Sequence, residues 1–123
     1  MTFGLNHEIG FATARDLIQR LTTSSMSSTE LTEAFTQRII ELDDCDGGLQ
    51  SVLAISADAA EQASAQSTVG LLRGLPVLIK DNIEAIGLPA TAGSLALAGR
   101  TVKRDATIVT RLREAGATIL GST

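Results

Sequence analysis

One apolar run constrains the fold of this chain more than any other feature. Residues 75–79 read Leu-Pro-Val-Leu-Ile without a polar residue, whereas a strand with one face in water alternates polar and apolar side chains. An unbroken apolar run of this length is typical of a strand covered on both faces inside a layered α/β sheet. The run ends abruptly at Lys80-Asp81-Asn82. The sequence therefore predicts a buried strand with a polar end.

Helical and strand patterns surround this run. Apolar residues at helical spacing predict two N-terminal helices, each begun by a capping-box pair, and the second ends near Leu42. The pairs are Thr13 with Asp16 and Ser27 with Glu30. Further patterns predict strands over 51–56 and 117–122, a helix over 57–66, and a helix near 107–115 that Asp105 caps and Gly116 closes. This order of elements predicts an α/β architecture.

The length of 123 residues suits one domain. We divide it into a helical entry over 1–45 and the start of an α/β core over 50–123. A buried parallel strand needs a neighbouring strand and a covering helix, yet the sequence ends one residue after the last predicted strand. We therefore expect an incomplete N-terminal portion of a single domain, marginally stable or self-associating through exposed apolar surface.

Composition argues against several classes of function. A net charge of -4 and 2% aromatic residues disfavour nucleic acid as a partner. The sequence has no leader pattern and no apolar stretch long enough to cross a bilayer, so we expect no membrane partner and a cytoplasmic location. One cysteine, Cys45, and one histidine, His7, predict neither a disulfide nor a metal site. Neither glycine pattern for nucleotide binding occurs, and no cofactor is expected.

An acidic turn over residues 43–48 invites comparison with a calcium loop. It contains Asp43, Asp44 and Asp46 followed by two glycines. A calcium loop needs acidic residues at alternate positions, a glycine at the sixth and a glutamate at the twelfth, and no register here supplies the full set. We interpret the segment as a solvated turn that ends the second helix.

Lys80 is the first candidate catalytic residue. Loops at the carboxyl ends of buried parallel strands often hold functional sites, and a lysine kept neutral by burial is a competent general base. On position alone, a strand-terminal lysine that simply reaches into water is the favoured interpretation. Ser94 is not a candidate nucleophile, because no Gly-x-Ser-x-Gly elbow surrounds it. It reads as a turn or helix-start serine.

Four motifs from Gly70 onward favour the catalytic interpretation of Lys80 over the surface one. They are Gly-x-x-Arg-Gly ending at Gly74, Leu-Pro-Val-Leu-Ile-Lys-Asp-Asn at 75–82, Gly-Leu-Pro-x-Thr-Ala-Gly-Ser at 87–94, and Asp-Ala at 105–106 followed by Arg-Leu-Arg-x-Ala-Gly-Ala and Ile-Leu-Gly. In this order and spacing they resemble the opening of the amidase-signature family, and the two N-terminal helices resemble its usual entry. The resemblance implies a partial amidase-signature fold, with N-terminal helices followed by strands of a mixed sheet covered by helices.

The resemblance also implies an amide hydrolase of the Ser-cisSer-Lys type with Lys80 as the catalytic lysine. In such enzymes the neutral lysine takes a proton, through the cis-serine, from the serine that attacks a small-molecule amide. In the family, both serines and the oxyanion donors belong to a Gly/Ser-rich segment well beyond the strand that matches residues 117–122. We therefore expect the chain alone to be inactive and its Lys80 to be exposed. Ser122 and Thr123 also stand where the family often has Lys-Thr-Asn.

Two other interpretations stay open. The glutamine-dependent amidotransferase that acts on charged tRNA has, as its A component, a member of the same family, although residues 93–97 are more similar to the general amidases. A truncated α/β domain without catalytic activity is the second alternative, in which bare apolar surface would favour association.

Overall fold

The structure is a computed structural model that describes residues 8–65 and 69–123. Its helices are α1 (Ala14–Thr22), α2 (Ser28–Leu42), α3 (Ala59–Ala65) and α4 (Thr107–Glu114), and its strands are β1 (Ala54–Ile55), β2 (Pro76–Ile79) and β3 (Thr118–Ser122). His7 and Gln66, the predicted last residue of the third helix, lie outside the described residues. The α/β fold class is confirmed, with β1 shorter than the predicted strand over 51–56.

Both N-terminal helices begin at the predicted capping boxes. Thr13 caps α1 and exchanges hydrogen bonds with Asp16, and Ser27 does the same with Glu30 at α2. These two helices share one buried apolar cluster: Ile9, Leu17, Leu21, Met26, Leu31, Ala34 and Leu75. Leu75 immediately precedes β2, so burying the apolar faces of the helices also anchors the start of that strand.

The three strands form a mixed sheet in the order β1-β3-β2. β3 runs antiparallel to β1 and parallel to β2, and all of its residues are buried. Val77 lies opposite Ile119 and Leu78 opposite Gly121, which leaves Leu120 as an extra residue on β3. Such a bulge increases the local twist of the strands next to the end of the sheet that carries Lys80.

β2 is only half-buried along most of its length, in contrast to the predicted cover on both faces. One face packs into a second apolar cluster that includes α4: Ile79, Ala85, Leu88, Val109 and Ile119. The other face opens onto a groove of about 480 Å³, whose lining includes Leu78 and, from α2, Phe35 and Leu42. The face of β2 that carries Pro76 and Leu78 therefore lies in an open groove and is only partly covered.

Helix α4 ends as predicted but does not begin as predicted. Gly116 closes it with a φ of 89°, a conformation that favours glycine. The N-cap is Ala106, which makes no side-chain capping bond. Asp105 instead accepts hydrogen bonds from the Ile86 amide at 2.7 Å and from Arg113 Nε at 2.9 Å. The prediction of an Asp105 cap is therefore wrong. The N-cap lies one residue later, and the carboxylate is bound by the Ile86 amide and by the guanidinium of Arg113 in the last turn of α4.

Several large apolar side chains are exposed, among them Phe11, Leu49, Leu53, Val69, Leu71 and Leu95. Self-association through such surface stays a prediction, as does the division into a helical entry over 1–45 and a core over 50–123. In the part of the chain that the structure describes, no helix combines the length and the apolar character needed to cross a membrane.

Gly121 on β3 is predicted to have no room for a side chain. A Cβ added there would collide with the carbonyl oxygen of Ala54 and lie 3.1 Å from the Ile55 Cα, so Gly121→Ala must push β1 away from β3. We expect the free energy of unfolding to fall by about 1–3 kcal/mol, measured by urea denaturation. Gly10→Ala is the control, because its Cβ would meet only the end of the Arg38 side chain. Equal effects of the two substitutions would contradict the prediction.

Candidate functional site

Lys80 lies at the carboxyl end of β2, directly after its last residue. The neighbouring strand β3 runs parallel, so both strands end at the same edge of the sheet. The Lys80 side chain is exposed, as expected for the chain alone. Its Nζ donates a hydrogen bond to the main-chain oxygen of Thr123 at 3.2 Å. The amine is therefore held at the sheet edge where α/β folds commonly place their sites.

The next residue, Asp81, points into the protein and is 3% exposed. Its carboxylate accepts hydrogen bonds from the hydroxyl of Thr91 and, at 3.2 Å, from the Thr91 amide. Its own amide donates to the main-chain oxygen of Thr123 at 2.9 Å, and its carbonyl accepts from the Ala92 amide at 3.2 Å. Asp81 thus joins the ends of both parallel strands to a turn at residues 91–93.

The turn at 91–93 has an unusual backbone. Ala92 has a φ of 49° and Gly93 a φ of 77°, and a positive φ is unfavourable for alanine. The Thr91 hydroxyl accepts a hydrogen bond from the Gly93 amide at 3.1 Å while it donates to Asp81. Ser94 follows and begins a 3₁₀ turn at Leu95–Leu97 without a side-chain capping bond. Its position agrees with the interpretation as a turn serine.

A second buried carboxylate corrects the sequence interpretation of the acidic turn. Asp43 is buried, at the C-cap of α2, rather than solvated. It accepts hydrogen bonds from the hydroxyl and amide of Ser51, at 2.5 and 2.9 Å, and from the Val52 amide at 2.8 Å. The carboxylate secures the segment that leads into β1, because three donors replace the water it loses.

These hydrogen bonds predict that the protein loses stability in acid. The hydroxyl of Thr91 and then its amide lower the pKa of Asp81 below the ordinary value of 3.8, and Ser51 and Val52 lower that of Asp43. A lowered folded-state pKa contributes stability that is complete above the unfolded value and is lost as pH falls through the folded value.

We therefore expect the urea midpoint to fall as the pH drops below about 4. Asp81→Asn and Asp43→Asn should each make that fall shallower while lowering stability at neutral pH. The measurement is urea denaturation followed by circular dichroism between pH 7 and pH 3. A pH dependence identical in the parent protein and both variants would contradict the assignment.

The sequence motifs predict a role for Lys80 but none for Asp81 or Thr91. Asp81 stands in the motif at 75–82 and Thr91 in the motif at 87–94. The sequence signal that could have indicated their contact is the spacing of ten residues between them. A contact across ten residues depends on how the intervening loop folds. The structure brings these two motifs together at the end of the sheet and leaves Ser94 exposed on the same loop.

The family model described as Amidase matches residues 30–123. The A component of the glutamyl-tRNA(Gln) amidotransferase of Salinispora arenicola is 37% identical over 119 residues, which cover 89% of this chain and 23% of that protein. The peptide amidase of Stenotrophomonas maltophilia superposes with a TM-score of 0.86 at 40% identity, over 92% of this chain and 24% of that structure.

An amidase family protein from Bacillus anthracis superposes with the same TM-score of 0.86, at 32% identity over 98% of this chain and 25% of that structure. The chain therefore spans about a quarter of the length of the relatives it matches. The family match covers well over half of the chain. The motifs at 75–82 and 87–94, which meet at the end of the sheet, lie within the matched residues. This chain belongs to the amidase-signature family.

Proposed function

We propose that this chain supplies the base-bearing portion of an amide hydrolase, with Lys80 as the general base. The observation that carries the proposal is the placement of the Lys80 amine, which is exposed at the shared carboxyl end of two parallel strands and rests on the Thr123 oxygen at 3.2 Å. A general base must reach the proton it abstracts, directly or through one bridging group. Lys80 satisfies the requirement for access, and Asp81 fixes the backbone beside it.

The proposed chemistry is the Ser-cisSer-Lys reaction of the family. The neutral amine of Lys80 takes a proton through a bridging serine from the nucleophilic serine, whose oxygen forms a bond to the amide carbonyl carbon. Backbone amides stabilise the oxyanion that results. The carbon–nitrogen bond then breaks, the proton passes to the leaving nitrogen, and water hydrolyses the acyl-enzyme. Neither serine nor the oxyanion donors are assigned to this chain.

Small-molecule amides, as substrates of an acylamide amidohydrolase, are the first substrate class we propose. The 40% identity to a peptide amidase supports this class. The 37% identity to an amidotransferase component supports a second candidate, in which glutamine is the amide and partner subunits are required. Ammonia released from glutamine only when partner subunits are added would favour this second candidate. A non-catalytic α/β domain is the third outcome.

The test joins residues 1–123 to the complementary C-terminal portion of an amidase-signature enzyme and measures ammonia release from simple acyl amides, a C-terminally amidated peptide and glutamine. The C-terminal portion alone is the control for activity that does not need this chain. Hydrolysis that requires both portions is the expected result. A well-folded joined protein that hydrolyses none of the amides, with or without partner subunits, would overturn the proposal.

A further inference from the structure

The Asp81 carboxylate has a more elaborate environment than a strand-ending turn requires. It is almost completely buried, and removing a carboxylate from water is costly unless donors replace the lost hydration. The hydroxyl and the amide that donate to its side chain both belong to Thr91, ten residues further along the chain. A short neutral residue would end the strand without this desolvation cost. Thr91 offsets the cost for Asp81, because it provides both donors to the carboxylate.

The main chain around Asp81 is held on both sides. The Asp81 amide donates to the Thr123 oxygen at 2.9 Å, and the Asp81 carbonyl accepts from Ala92 at 3.2 Å. The Thr123 amide in turn donates to the Ile79 carbonyl at 2.9 Å. Lys80 lies between Ile79 and Asp81, so these bonds fix the peptide groups on either side of it. The direction in which its side chain leaves the backbone is consequently fixed.

The Thr91 turn is the other half of this arrangement. Ala92 keeps a φ of 49°, a conformation that persists where surrounding contacts determine it. Those contacts are the bonds of Thr91 and Ala92 to Asp81 and the bond from the Gly93 amide to the Thr91 hydroxyl. The Thr91 hydroxyl therefore adds a side-chain link to the two main-chain bonds that couple the turn to the residue after Lys80.

We propose that Asp81 and Thr91 are positioning residues for Lys80. Their buried hydrogen bonds hold the end of β2 and the 91–93 turn in one arrangement, and this arrangement keeps the Lys80 amine against the Thr123 oxygen at the sheet edge. This inference rests on the proposed function for its catalytic meaning. The geometric part, that the Thr91 hydroxyl controls where the Lys80 amine lies, can be measured without activity.

The test uses the fact that Lys80 and Lys103 are the two lysines of the chain. Trace labelling of the whole chain with an amine-reactive anhydride, followed by mass spectrometry, gives the Lys80 labelling rate relative to the exposed Lys103. Thr91→Val keeps the shape of the side chain but removes the hydroxyl. We expect the Lys80/Lys103 ratio to rise by about fivefold, the population change that corresponds to one hydrogen bond of ordinary strength.

Two further variants make the result specific. Thr91→Ser restores a hydroxyl and should return the ratio to that of the parent protein. Thr36→Val is the matched control, because it makes the same change at a half-buried hydroxyl that donates to the Thr32 carbonyl within α2. It should leave the ratio unchanged. If Thr91→Val loses its helical circular dichroism, Thr91→Ala takes its place with the same expected rise.

The outcomes separate this inference from the proposed function. An unchanged ratio in Thr91→Val, or an equal rise in Thr36→Val, overturns the positioning role even if Lys80 is essential for amide hydrolysis. A fivefold rise reversed by Thr91→Ser supports the positioning role. Full activity of Lys80→Ala in the joined protein would remove the catalytic meaning while leaving that geometric result intact.

Discussion

Replacing Lys80 with alanine is expected to lower kcat/KM for amide hydrolysis on the order of 10³-fold in the protein joined to an amidase-signature C-terminal portion. Without the amine, the nucleophilic serine keeps its proton and is a weak nucleophile. The measurement is the initial rate of ammonia release, with Lys103→Ala as the matched control because Lys103 is an exposed lysine in the loop before α4. Full activity of Lys80→Ala would exclude Lys80 as the base.

Lys80→Arg distinguishes a proton-accepting role from a purely electrostatic one. Arginine keeps a positive charge at the sheet edge but stays protonated, so it cannot serve as a base. We expect Lys80→Arg to be as inactive as Lys80→Ala. Substantial activity in the arginine variant would mean that the site needs the charge of Lys80 rather than its proton chemistry, and the proposed mechanism would then be wrong.

Replacing Ile119 with alanine is expected to have the largest effect on stability. Ile119 is 1% exposed on the central strand and packs with Val109 of α4 and Ile79 of β2. Removing its side chain leaves a cavity where two layers of the fold meet, at a cost of about 2–5 kcal/mol. That is a large share of the roughly 5–15 kcal/mol that stabilises a typical domain, so we expect a much lower urea midpoint.

The matched control for Ile119→Ala is Ile108→Ala. Ile108 lies on α4 with 53% of its surface exposed, and its loss should change the free energy of unfolding by no more than about 0.5 kcal/mol. Urea denaturation of the two variants and the parent chain provides the measurement. Similar midpoints for the two variants would show that β3 is not the packed centre of this sheet.

Local signals in the sequence were enough to place most of the elements. Each capping box is a contact across three residues, so Thr13 and Ser27 mark their helix starts whatever surrounds them. The unbroken apolar run before Lys80 located β2, because burial selects apolar residues position by position. The four motifs carried the family resemblance, and with it the candidate base, since their order and spacing are linear properties of the chain.

Three aspartates have buried or half-buried partners that the sequence did not predict, and each partner lies at least eight residues away along the chain. Asp43 finds its donors eight and nine residues away, Asp81 ten, and Asp105 eight and nineteen. No local sequence pattern predicts which of several donors the folded chain will bring within hydrogen-bond distance of a carboxylate. For the same reason the half-open face of β2 could not be foreseen, because cover on a strand is provided by elements distant in sequence. Composition and spacing therefore determined which segments are helix and strand, whereas the packing of loops decided which polar side chains are buried beside Lys80.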